Sequence, residues 1–212
     1  MAGKLNVNPW LDIWLEPRAT IRAIVNYNPK YRFILLSTIY GLPMALNFAQ
    51  SSSLIESLPL WAILIAALVV SPFIGALGIT VCSLLLTWTG KWIGGKSNYD
   101  RVRAAVAWSN VPNAVTLILW VVLMVVFGNQ VFSRGFSDSA FMGYEAGVVF
   151  IVFLVESIVS IWGFIILLKT LGEVQGFSAW KALLNVVIPL VIVVAAIWLV
   201  GWIIWGTSAI VK

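Results

Sequence analysis

Histidine is absent from the 212 residues, and cysteine occurs once, at Cys82. A disulfide within the chain, a zinc cluster and histidine-based acid–base catalysis are thereby excluded. Charge is scarce as well, at 10% of residues against about 25% in an ordinary soluble domain. The first ten residues, ending Asn8-Pro9-Trp10, hold no apolar stretch of the kind a cleavable signal peptide requires. Internal repeats and low-complexity tracts are also lacking.

What is abundant is apolar surface. Hydrophobic residues make up 61% of the chain, more than a water-soluble fold is able to cover. Apolar runs occupy approximately 33–50, 59–89, 108–128, 146–169 and 183–206, and a helix needs roughly 20 such residues to cross about 30 Å of hydrocarbon. The expected fold class is therefore all-α: a polytopic membrane bundle of five transmembrane helices in residues 33–212, preceded by a short amphipathic helical tail in residues 1–32. Twelve tryptophans suit the headgroup boundary, where the ring is sheltered and its N–H stays wet. The second run, with its 31 residues, would extend about 46 Å at 1.5 Å per residue. Pro72 near its middle is expected to kink it, since two crossings would leave pieces at or below the spanning minimum.

Cation placement sets the expected orientation. The tail carries Lys4, Arg18, Arg22, Lys30 and Arg32; the second connection carries Lys91, Lys96, Arg101 and Arg103; the fourth carries Lys169 and Lys181. These make eleven of the thirteen cations. Five spans put all three segments on one side, the cytoplasm, with the carboxyl end outside. The net charge of +5 then serves an anionic bilayer surface, and no nucleic acid is expected as a partner.

The tail reads as two short helices opened by Asn8-Pro9 and by Pro17. Trp10, Trp14, Arg18 and Arg22 are its candidate lipid-interface residues. Ile21, Ile24 and Val25 fall at helical spacing, so the stripe either enters lipid while the arginines meet phosphate or packs on the protein's own cytoplasmic loops.

Gly90 and Gly95-Lys96-Ser97 match the spacing of a phosphate-cradling loop. That motif works at the junction of a buried strand and a helix, whereas Leu84 to Trp92 read as the end of a membrane helix. The glycines are expected to end that helix, and neither nucleotide nor cofactor is expected. Glu156 is the one acid inside a span, and a carboxyl in hydrocarbon points to function by default. It is expected to face the bundle interior near Tyr40, Ser71 and Thr116, either as a polar lock or as a proton, cation or ligand site. Asn110-Val111-Pro112-Asn113 reads as a capped helix entry with Asn110 as N-cap. Ser71, Gly75 and Gly78 form a small-residue face suited to close helix packing.

Several segments together resemble the Yip family, the Ypt-interacting-protein domain. They are Trp14-Leu15-Glu16-Pro17-Arg18-Ala19-Thr20, then Gly94-Gly95 followed by Tyr99 and a run into Asn110-Val111-Pro112, and finally Gly176-Phe177-Ser178-Ala179-Trp180-Lys181-Ala182-Leu183. The resemblance implies a five-span topology with the amino end cytoplasmic, and makes Gly94-Gly95 the family's loop glycines. The family's eukaryotic members are linked to small GTPases through longer tails. The short tail here is similar to the bacterial branch, which implies an inner-membrane protein for which no GTPase partner is to be assumed and no catalytic residues carry over. The expected function is a non-enzymatic organiser of membrane lipids or protein partners, a second copy of the chain among them. The alternative is a small transporter or channel for protons, ions or a small solute that uses Glu156. An intramembrane enzyme ranks last, because one carboxylate without histidine or a second acid does not readily run acid–base chemistry.

Overall fold

A computed structural model describes residues 5–133, 136 and 142–210, the last eight as backbone. Lys4, used above in reading orientation, lies outside the described residues. Eight α-helices follow one another: α1 (Pro9–Leu15), α2 (Pro17–Tyr27), α3 (Phe33–Ser51), α4 (Leu60–Trp92), α5 (Tyr99–Ser109), α6 (Asn113–Phe127), α7 (Tyr144–Gln175) and α8 (Ala179–Ile210). Short 3-10 turns stand at Leu54–Glu56 and Gly128–Phe132, and the described residues contain no strand. Five segments are long and apolar enough to cross a membrane: α3, α4, the α5–α6 stretch Tyr99–Phe132, α7, and α8 as far as Trp202. The second apolar run is one continuous helix of 33 residues that passes through Pro72.

The tail folds from its own local chemistry. The Asn8 side chain accepts from the Trp10 N–H at 3.3 Å, while the Asp12 carboxylate accepts from the Asn8 N–H at 2.8 Å. Two otherwise orphaned donors are so satisfied at the start of α1. Prolines occupy the first positions of α1 and α2, where a missing N–H costs nothing.

Ile13, Ile21, Ile24 and Val25 are buried in one cluster with Val102, Ala105 and Trp108 of α5 and Ile166 and Leu171 of α7. The stripe weighed above as entering lipid therefore meets protein, the second of the two arrangements. Its physical reason is α5, which folds back under the bundle and joins the end of α7 in an apolar wall. Tail, α5 and the adjacent ends of α4, α7 and α8 make a cap on one end of the bundle.

Between α3 and α4 the backbones touch. A Cβ placed on Gly41 would collide with the Ser71 carbonyl, and one on Gly75 with the Ser37 carbonyl. Ser37 and Gly41, like Ser71 and Gly75, stand four residues apart, so each helix offers the same small pair to the other. A second apolar cluster, with Leu46, Ile63, Trp120 and Phe132, fills the distal end of the bundle. Gln50 Nε2 closes that end by donating to the Val131 carbonyl at 2.9 Å.

The expected cap at Asn110 is corrected. Asn110 ends α5 and donates from Nδ2 to the Val106 carbonyl at 2.7 Å, while Pro112 precedes α6 with no side-chain cap. The chain turns from α5 into α6 within three residues through main-chain bonds from Asn113 N–H to Asn110 O and from Ala114 N–H to Val111 O. The Asn110 side chain thus bridges the turn, its Nδ2 bonded back into α5 and its Oδ1 accepting from Asn113 Nδ2 of α6 at 3.2 Å.

Candidate functional site

Glu156, four turns short of Thr170 on α7, faces inward and is half-buried. It lines a cavity of about 200 Å³ between α3, α6 and α7, together with Asn47, Gln50, Thr116 and Trp120. Thr116 is the one expected companion that shares the cavity. Ser71 lies instead at the α3–α4 crossing, fully buried, its hydroxyl donating to the Leu68 carbonyl at 2.8 Å. Tyr40 lines a second cavity of about 310 Å³, bounded by Cys82, Ser109, Asn110, Asn113 and Ser160. The four residues are thus distributed over three places, for a simple reason: equal depth in different helices says nothing about which faces meet.

The two ion pairs among the described residues lie in the cap and leave Glu156 out. Arg103 meets Asp100 at 2.9 Å, and Arg22 meets Glu173 at 2.7 Å. The hydrogen bond to Glu173, and then its charge, raise the Arg22 guanidinium above its ordinary value. This contact ties α2 to the end of α7. Trp10 packs edge-on to Trp108 with ring centroids 5.3 Å apart, under the Arg32 guanidinium, and Trp14 lies against the same cluster. Arg18 is exposed, as are Leu11 and Leu15 of α1, at 66% and 81%.

The false nucleotide loop has a structural task. Gly95, Lys96 and Ser97 spend their N–H groups on the Gly90 carbonyl, the Gln175 carbonyl and Gln175 Oε1, leaving none of these amides for phosphate. Around them lies a buried polar knot. Gln175 Nε2 and Asn185 Nδ2 both donate to the Leu86 carbonyl, and the Thr89 hydroxyl donates to Asn185 Oδ1 at 2.7 Å. Gly90 and Gly95 press so closely on Gln175 that a Cβ at either would strike its amide. Gly176, at φ 74°, stops α7 just beyond, and Phe177 N–H returns to the Gly172 carbonyl at 2.7 Å. Sequence reading missed Gln175 and Asn185; their signal was an uncharged amide at each end of the fourth connection. It also missed Asn47 and Gln50 as cavity residues. The described residues hold no cluster of His, Cys, Asp or Glu able to bind a metal.

Compared with known families, residues 11–201 match the Yip1 domain. No curated protein and no solved structure matches the chain significantly.

Proposed function

Since this chain belongs to the Yip1 domain family, we propose that it is a non-enzymatic organiser of the membrane, gathering lipids or membrane proteins at its cap. In this reading it sits in a bacterial inner membrane, with cap and amino end cytoplasmic and the carboxyl end outside. The bias of eleven cations toward one side supports that orientation. Its partners are the bilayer, membrane proteins or a second copy of the chain.

The observation that carries the reading is the exposed face of α1. The tail's aliphatic stripe is spent on the protein core, yet Leu11 and Leu15, one turn apart, remain uncovered near exposed Arg18. Apolar side chains beside a cation suit the boundary of an anionic leaflet.

The test uses the full chain with Cys82→Ser and a nitroxide at Leu15→Cys. In vesicles containing anionic lipid the label is expected to be shielded from a water-soluble nickel chelate and open to oxygen. Equal, high accessibility to the chelate in anionic and neutral vesicles would sink the proposal.

A further inference from the structure

The two intramembrane cavities lie end to end. Asn113 of the cap-side cavity stands three residues before Thr116 of the distal one on α6; Ser160 of the cap-side cavity stands four residues after Glu156 on α7. One helical turn, about 5 Å at 1.5 Å per residue, separates them along both helices. Each is several times larger than the ~30 Å³ share of a water molecule in the liquid, and each carries hydroxyl or amide groups able to hold water. Among the described residues no lysine or arginine lines either one, so the sign of the lining favours a cation. Among the described residues Glu156 is its one acid, and Tyr40 and Cys82 are the other titratable groups that face the seam.

We propose that the two cavities are the halves of one proton path along the α6–α7 seam, with Glu156 as the carrier between them. The Glu156 carboxylate takes a proton from hydronium in the distal cavity, leaving water. A change of side-chain rotamer swings the carboxyl one turn toward Asn113 and Ser160, where it releases the proton to water and forms hydronium in the cap-side cavity. The carboxylate then returns. A metal ion would need an open pore across the turn that divides the cavities, whereas a proton needs one side chain to move. This goes beyond membrane organisation and does not depend on it.

The experiment reconstitutes the full chain in vesicles enclosing a pH-sensitive dye, with the membrane potential clamped by potassium and valinomycin. Wild-type protein is expected to acidify the lumen several-fold faster than protein-free vesicles. Glu156→Gln, nearly the same in shape, should lower the excess rate at least ten-fold. Ser160→Leu, which fills the cap-side cavity and leaves Glu156 in place, should lower it at least three-fold. A wild-type rate equal to that of empty vesicles overturns the proposal, as does Glu156→Gln at the wild-type rate. Should circular dichroism show Glu156→Gln misfolded, Ser160→Leu decides, and an unchanged rate with it overturns the proposal. A Glu156-dependent sodium or potassium flux as fast as the proton flux would overturn the assignment to protons.

Discussion

At the scale of single residues, the buried polar side chains divide the labour. Gln175 and Asn185 converge on the Leu86 carbonyl and hold α4, α7 and α8 together at the cap, where apolar packing alone would leave main-chain groups unpaired. Asn185→Leu removes the donor to Leu86 and the acceptor of Thr89, so it is expected to cost about 1–3 kcal/mol, read as a lower unfolding midpoint in denaturant. Gln175→Leu should cost a similar amount by stranding the Ser97 N–H, whereas Asn26→Ala on the exposed face of α2 should change little. If Asn185→Leu unfolds like wild type, the knot is not what holds that end. Sequence made Glu156 legible, because a lone acid in an apolar run is conspicuous. It did not make Asn185 legible, since an amide near a span end has many harmless readings.

Elements were read well where one periodic signal sufficed. The apolar runs became α3, α4, α6, α7 and α8, with ends displaced by a few residues, and Pro9 and Pro17 opened the two tail helices. Where a stripe needed a partner, periodicity fell short: Ile21, Ile24 and Val25 are equally good against lipid or protein, and only the folded position of α5 decides. The same limit hid Gly41. Gly75 was visible as part of a small-residue face, yet its counterpart emerged only when α3 and α4 were seen to cross at Ser37 and Ser71. Because a Cβ at Gly41 or Gly75 meets main-chain carbonyls that are unable to yield, Gly75→Leu should part the helices and cost at least about 1–3 kcal/mol. Thermal unfolding in detergent checks this, with Gly147→Leu, at a position with open space around it, as the comparison. Equal midpoints for the two would refute the close approach.

The whole molecule is organised as two apolar clusters, one in the cap and one at the distal end. The cap is part of the fold rather than an appendage, because the tail's aliphatic residues are core residues. Hydrogen exchange should therefore find the amides of α2 protected to the degree of those in α5; rapid exchange confined to residues 17–27 would mean that the tail detaches. Beyond Pro189, α8 is exposed as far as its side chains are described. An apolar face left uncovered over that length suits a membrane-spanning helix.

One helix runs through every part of this arrangement. α7 carries Glu156 in the seam and, seventeen residues later, the carboxylate that grips Arg22, about 26 Å along the axis at 1.5 Å per residue. A continuous helix of that length behaves as a stiff rod. The tail, held to the far end of that rod by Arg22 and by the buried Ile21 and Ile24, and the cavity beside Glu156 therefore share one element.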